Sequence, residues 1–364
     1  MNIFSIFSQL SYKSLFFLIF SLILKLIIVL TFNDNFAKIW YIPFINHALE
    51  TDLLNPWSTW LTYNYGNLQF PYGHLMLALF IPLEFLFSFF PYETQLGYFS
   101  TLFIFDVLLF ILIKKLFLYN INFLILFYWF NPIIIIPTYF FGFNDIIPLF
   151  FLVTSILFCK KNNFYLSGFF ISIAIAIKLT FLISLPFFLI FYLQTRYRNE
   201  LFKFVKGISI GLIIIVLQFF LTTLITEITT NSEFLKIYEL KFNLGDNNYI
   251  YIVPIILIFL FYDNWITKRI TFEMMYVYLF AGFASISIFS YSSPGWYIIL
   301  VPFLLNYIYN SNITGKLILV AFNFIFTIYC LQFYLQKFFL RKLSLFQLYG
   351  YQHNRYLYFL SLVL

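Results

Sequence analysis

The sequence predicts an all-α integral membrane protein, a polytopic bundle of about ten to twelve transmembrane helices. Of its 364 residues, 63% are hydrophobic and only 10% are charged, and the mean hydropathy is +0.92. A water-soluble domain of this composition would expose large apolar patches. Apolar runs of roughly 17 to 25 residues recur along the chain, which is the length needed to cross a hydrocarbon core. Because lipid offers no partners for backbone groups, such runs must be helical.

The whole chain, residues 1–364, is interpreted as one domain with an outer loop at 33–70 and a tail at 335–364. That tail mixes basic and apolar residues and fits an amphipathic surface segment or one further short helix. The first apolar run contains Lys25 and lacks a small-residue cleavage site, so we expect a retained anchor helix and no signal peptide. The predicted spans lie near residues 15–32, 71–90, 97–113, 121–139, 146–159, 164–177, 179–193, 207–226, 249–262, 271–289, 296–309 and 316–334.

Several of these runs are short, on the order of 14 residues. The runs around Gly142 and Lys178 could therefore be half-helices or tilted hairpins that reach only part of the bilayer. Irregular backbone at such depth is tolerated only beside a polar cavity. We therefore expect a polar cavity beside any break between these short segments that lies at such depth.

Basic residues form short clusters between the spans, so the net charge of +7 indicates membrane topology and no nucleic-acid partner. By the positive-inside rule these clusters mark the cytoplasmic side, and the turns at 142–145, 228–248 and 291–296, together with Asp34, fall on the other face. One of the segments 71–90 and 97–113 must then fail to span, because an odd number of crossings is needed before Lys114. The clusters are Lys114-Lys115, Lys160-Lys161, residues 196–206 and Lys268-Arg269.

The remaining composition excludes several classes of protein. Cys159 and Cys330 lie in or beside apolar runs, which indicates neither a disulfide framework nor a metal cluster. No glycine-rich phosphate loop, H-E-x-x-H pattern or nucleophile elbow is present, so nucleotide chemistry of the soluble type is not expected. The 25% aromatic content is interpreted as compositional bias rather than carbohydrate stacking. Interfacial anchoring in an aromatic belt is predicted for Trp40, Trp57, Trp60 and Trp296.

Two acidic residues are candidates for chemistry, because ionisable groups in or near a bilayer are costly. Asp34 follows the first span directly and is either a catalytic base or an interfacial cap. Asp145, with Asn144, lies in a turn between two apolar runs, and it either serves the site or caps the following helix.

Two basic residues are also candidates for chemistry. Lys178 is flanked by apolar residues, and it either snorkels at a helix end or provides a cation for a lipid phosphate. His74 follows Phe70-Pro71-Tyr72-Gly73 at the entry to a span, where it is either structural or a hydrogen-bond donor at the membrane surface.

Several short motifs together resemble the GT-C superfamily of integral-membrane glycosyltransferases, nearest to glycosyltransferase family 87 and related polyprenyl-phosphate-mannose-dependent mannosyltransferases. The similar elements follow the family's order over about residues 15 to 310, although Gly295 stands where the family usually carries a His, Gln or Arg. They are Asp34 after the first span, Asn55-Pro56-Trp57, Phe70 to Gly73, Asn131-Pro132, Gly142 to Asp145, Lys178 to Pro186 and Ser293 to Trp296.

This resemblance implies an enzyme of the bacterial inner membrane whose active site faces away from the cytoplasm. Its expected partners are a polyprenyl-phosphate sugar donor and a lipid or glycan acceptor. Asp34 is then the catalytic base for an inverting transfer, and Lys178 and His74 bind the donor phosphate. Asp145 and Asn144 position the acceptor or the loop. No cofactor is expected, and dependence on a divalent metal is left open.

Two other functions remain open at this stage. A flippase for lipid-linked oligosaccharides would also have many spans, but a transporter typically carries inverted repeats and charges at helix centres. A polysaccharide polymerase or ligase ranks third, because the outer loop at 228–248 is modest and lacks an obvious Arg/His pair.

Overall fold

The structure is a computed structural model that describes residues 11–32, 35–51, 53–63, 70–90, 95–195, 198–221, 233–245, 248–268, 270–290, 292–309 and 311–339. Asp34 and most of the C-terminal tail lie outside these ranges. The described chain is helical except for one short hairpin, which confirms the predicted α-helical class.

We number the helices in chain order. They are α1 (Tyr12–Thr31), α2 (Ile42–Glu50), α3 (Pro56–Tyr63), α4 (His74–Phe87), α5 (Leu96–Phe117), α6 (Ile121–Trp129), α7 (Pro132–Phe140), α8 (Ile146–Lys160), α9 (Phe164–Ile177), α10 (Leu179–Gln194), α11 (Leu201–Leu221), α12 (Ile252–Ile266), α13 (Phe272–Phe289), α14 (Pro294–Tyr309) and α15 (Ile313–Tyr334). A π-helical turn at Ala37–Tyr41 leads into α2, another at Leu335–Phe339 follows α15, and 3₁₀ turns cover Arg198–Glu200 and Glu233–Tyr238. Strands β1 (Lys241–Gly245) and β2 (Asn248–Tyr251) form an antiparallel hairpin in which Lys241 pairs with Tyr251.

Four helices are long and apolar enough to cross a membrane: α1, α5, α13 and α15 with its π-helical extension. The pair α6 and α7 would make a fifth span, bent by 53°. The prediction of ten to twelve spans is therefore supported only for four or five segments among the described residues. Six further apolar helices of 10–17 residues in the described part of the chain are too short to count as membrane spans.

The bend between α6 and α7 has a local cause. Pro132 begins α7 and has no backbone N–H to continue the ladder of α6. The Oδ1 atom of Asn131 instead accepts a hydrogen bond from the N–H of Ile133 at 2.9 Å and caps the new helix. The Asn-Pro motif therefore sets the direction of the chain as it enters the 142–145 turn.

The segment 33–70 differs from the predicted loop, because its described part contains the π-helical turn, α2 and α3. Helix α4 has 14 residues, so it is about 21 Å long and shorter than a hydrocarbon core. Helix α5 has 22 residues and is about 33 Å long. Of the two segments between Pro71 and Lys114, α4 is thus the one too short to span.

Three of the four tryptophans predicted to form a belt at the membrane surface instead lie in the core of the protein. Trp57 and Trp296 are fully buried and Trp60 is nearly so, whereas Trp40 is half-buried. The indole N–H of Trp57 donates to the carbonyl of Phe70 at 3.0 Å, which joins α3 to the start of the α4 segment. Interior packing therefore explains these side chains better than anchoring.

Candidate functional site

Turns that are distant in sequence meet at one end of the bundle. The backbone N–H of Phe36 donates to the carbonyl of Phe141 at 3.0 Å, which ties the segment after α1 to the end of α7. The adjoining turn at 142–145 packs against Gly295 at the start of α14, and the 3₁₀ turn that opens α10 packs against the one at Glu233–Tyr238. The regions that the charge pattern assigned to one face are therefore neighbours.

Lys178 lies at the centre of this cluster. It breaks the helical path between α9 and α10, because its backbone is extended with φ −144° and ψ 111°. Its side chain is only 4% exposed, and its Nζ atom lies 2.7 Å from Oδ1 of Asp145. The snorkelling interpretation is therefore wrong, since the ammonium is held inside the protein.

Asp145 precedes α8, but its side chain forms no capping hydrogen bond with that helix. The capping interpretation therefore fails for the carboxylate, which is 1% exposed and directed to Lys178. The ring of Trp296 lies 5.4 Å from the Lys178 Nζ atom and the ring of Tyr72 lies 5.9 Å away. Both rings lie within the distance at which a cation is attracted to an aromatic face.

Several polar groups in this cluster are buried without a hydrogen-bond partner in the described part of the chain. Asn144 is fully buried, yet neither its Nδ2 nor its Oδ1 atom is bonded. The same is true of Thr180 Oγ1, Ser293 Oγ and Trp296 Nε1. Each such group costs about 1 to 3 kcal/mol. A concentration of them around one ion pair is the pattern expected of a site that binds a polar ligand.

Two glycines allow the turns to approach each other. Gly142 has a φ of +75°, and a Cβ atom there would lie 2.4 Å from Cβ of Ala37. A Cβ atom at Gly295 would lie 2.3 Å from Oδ2 of Asp145. A side chain at position 295 would therefore displace the carboxylate.

Asp34 lies outside the described residues, so its side chain is not placed. The residues on both sides of it contact the same part of the cluster: the ring of Phe32 lies 4.2 Å from that of Phe140, and the ring of Phe36 lies 5.0 Å from that of Phe143. The residues on both sides of the undescribed positions 33 and 34, Phe32 and Phe36, therefore both contact the 140–143 segment.

His74 makes its contacts with the preceding loop. Its Nε2 atom lies 2.5 Å from the carbonyl of Leu54, and its ring lies 4.7 Å from that of Trp57. These contacts favour the structural interpretation. Its Nδ1 atom is buried without a hydrogen-bond partner among the described residues.

A second buried ion pair, which sequence reasoning missed, joins the middle of α1 to the middle of α5. Lys25 Nζ lies 2.7 Å from Oδ2 of Asp106, and both side chains are buried. Hydroxyls of Tyr128 and Tyr139 donate to this carboxylate at 2.8 and 2.6 Å. Lys25 also lies 3.6 Å from the Trp129 ring centroid. A lone acid in the apolar run at 97–113 was the available signal.

Within the described ranges, no group of three or more His, Cys, Asp or Glu side chains could hold a metal ion. Comparisons with models of known protein families, with curated proteins and with solved structures find no match for this chain.

Proposed function

We propose that this protein is an inverting, membrane-integral glycosyltransferase of the GT-C type. It moves a mannose-like hexose from a polyprenyl-phosphate carrier to an acceptor hydroxyl on a glycolipid or polysaccharide, on the non-cytoplasmic face of a bacterial inner membrane. The observation that carries the proposal is the buried Lys178–Asp145 pair surrounded by unbonded polar groups. The motif order described above is the second support.

In the proposed reaction, the acceptor oxygen attacks the anomeric carbon while the bond from that carbon to the phosphate oxygen breaks. Asp34 takes the proton of the acceptor hydroxyl, and the polyprenyl phosphate leaves with the electron pair of the broken bond. One carboxylate suffices for this single displacement.

Lys178 stabilises the negative charge that grows on the leaving phosphate. Asp145 keeps the ammonium charged and aimed, because an unpaired lysine would be costly at this depth. The amide of Asn144 and the indole N–H of Trp296 are unbonded donors for phosphate or sugar oxygens. In its imidazolium form, with Nε2 donating to the carbonyl of Leu54, His74 is a second donor candidate through its unbonded Nδ1 atom.

The test is transfer from radiolabelled polyprenyl-phosphate mannose to lipid acceptors in membranes that contain the protein. Asp34→Asn should lower the rate by about 100-fold or more, the usual contribution of a general base. Lys178→Met should also lower it, whereas Lys161→Met, at an exposed position, should not. Parental transfer by Asp34→Asn would refute the role of Asp34. Absence of transfer by the parent with every polyprenyl-phosphate hexose would refute the function.

A transporter of lipid-linked oligosaccharides is the second candidate, because the Lys25–Asp106 pair places charges at the centres of two long helices. The charged candidates chosen from the sequence lie beside the ends of apolar runs, whereas this pair lies within two of them. Liposomes containing the protein distinguish the two functions: a transporter would move a short-chain lipid-linked oligosaccharide across the bilayer, and Asp106→Asn would slow that movement without any sugar transfer.

A further inference from the structure

A separate groove lies between the carboxyl ends of α2 and α4. Its volume is about 420 Å³, which is within the range of small-molecule sites. Three of its lining residues carry amide or carboxylate oxygens: Asn46 and Glu50 on α2 and Glu84 on α4. The remaining lining residues are Leu49, Phe85, Phe87, Ser88 and Phe90.

Glu84 is the unusual member of this set. Its side chain is 3% exposed, and its Oε1 atom has no hydrogen-bond partner in the described part of the chain. The carboxylate is held by the backbone N–H of Tyr98 on α5. A Cβ atom at Gly97 would lie 1.9 Å from Oε2 of Glu84, so the close crossing of α4 and α5 fixes the carboxylate in place.

An unbonded carboxylate oxygen requires a donor. A primary ammonium carries three N–H donors, which match the amide of Asn46 and the carboxylates of Glu50 and Glu84, and its single positive charge offsets one of the two negative charges. The phenyl rings of Phe85 and Phe87 add faces that attract cations. Burial raises the pKa of the Glu84 carboxyl, against the effect of the Tyr98 N–H, and a nearby ammonium would favour the ionised form again.

The apolar side chains around the groove indicate what kind of molecule carries the ammonium. Phe85, Leu86, Phe89 and Phe90 are all more than half exposed at its rim. Helix α4 has 14 residues, fewer than are needed to cross a hydrocarbon core, and acyl chains can cover these exposed side chains at a membrane boundary.

We infer that the groove between α2 and α4 binds the headgroup of a phospholipid that carries a primary ammonium. The ammonium donates to Glu84, Glu50 and Asn46, the phosphate remains in water, and the acyl chains lie over the exposed phenyl rings. This inference does not depend on the proposed transfer reaction.

The test is native mass spectrometry of the purified full-length protein with 1-palmitoyl-2-oleoyl-phosphatidylethanolamine, its N-methyl and N,N-dimethyl derivatives, and the corresponding phosphatidylcholine. These headgroups offer three, two, one and no N–H donors. Affinity should fall along the series, by about tenfold or more from first to last. Glu84→Gln should abolish that preference, and Glu273→Gln, an exposed control, should keep it.

Asn46→Leu, which removes a second acceptor, should also weaken the preference and provides the test if Glu84→Gln does not fold. Equal binding of all four lipids, or an unchanged preference in a folded Glu84→Gln variant, would overturn the inference. Displacement of the bound phosphatidylethanolamine by millimolar ethanolamine alone would show that the site takes a soluble amine, which would overturn the assignment to a lipid.

Discussion

Lys178 and Asp145 form an ion pair with a separation of 2.7 Å although they lie 33 positions apart in sequence. Both side chains are almost completely buried, so each needs the other to remain charged. This pair holds the α9–α10 break against the turn before α8, and it defines the centre of the candidate site.

Removing one partner of this pair should destabilise the protein strongly. We expect Asp145→Asn to lower the free energy of unfolding by about 3 to 5 kcal/mol, because the buried ammonium loses its counter-charge. The double variant Lys178→Met, Asp145→Leu should regain most of that loss. Denaturant titration in detergent measures both. Lys203→Met removes an exposed ammonium from its pair with the half-buried Glu200 and should change stability by about 0 to 1 kcal/mol. Equal losses at the two pairs would contradict the prediction.

We expect Asn144 to lower the stability of the protein while it supports sugar transfer. Asn144→Leu replaces two unbonded polar atoms by an apolar side chain of similar size, so we expect the unfolding midpoint to rise. Sugar transfer should fall in the same variant. A lower midpoint measured by thermal unfolding would indicate that Asn144 is already satisfied within the protein.

The Lys25–Asp106 network should contribute to stability through its tyrosines. Tyr139→Phe removes a hydroxyl that donates to Asp106 at 2.6 Å, and hydrogen bonds to charged groups contribute about 1.5 to 3 kcal/mol. Tyr262→Phe is the matched control, because Tyr262 is 61% exposed. Unfolding measured side by side should show a loss only for Tyr139→Phe, and similar values for both would argue against the network.

The turn at Gly142 should not tolerate a side chain. Gly142→Ala places a residue at φ +75° and a Cβ atom 2.4 Å from that of Ala37. Gly245 also has a positive φ, +95°, but none of the described residues lies within 4 Å of a Cβ atom there. Both alanines carry a left-handed strain of about 1 to 2 kcal/mol. Only Gly142→Ala should show an additional loss of stability, and comparable unfolding curves would disprove the close packing.

The membrane orientation can be measured with cysteine labelling. Leu54, between α2 and α3, is 72% exposed and is expected on the non-cytoplasmic side, whereas Lys161 after α8 is expected in the cytoplasm. Leu54→Cys should react with an impermeant maleimide in intact cells, and Lys161→Cys only after permeabilisation. The two native cysteines are buried, so the parent should label weakly. Reversed labelling would invert the proposed face.

The sequence predicted the helical class, because hydropathy and the need to satisfy backbone groups in lipid depend only on local composition. The sequence also identified Asp145 and Lys178 as candidate site residues, because each is a solitary charge between apolar runs. It did not pair them, because burial and direction depend on how α8, α9 and α10 pack. The partner of Lys25 was missed for the same reason: Asp106 is 81 residues away.

The predictions from sequence were wrong for the tryptophans and for the polar stretch after α1. Tryptophans next to apolar runs suggested membrane anchors, but Trp57 and Trp296 fill the interior beside the site. The polar stretch after α1 suggested a loop, yet aromatic contacts such as that between Phe44 and Phe70 fold it into helices. The role of Asp34 as a base stays a prediction, because it falls outside the described residues.

The bend at Asn131 has a mechanical consequence. The arm before it carries Tyr128 and Trp129, which contact Asp106 and Lys25, and the arm after it leads into the turn that ends at Asp145. Both ion pairs are thus linked through this bent pair of helices. The energetic effects of substitutions at Asp106 and Asp145 should therefore not be additive.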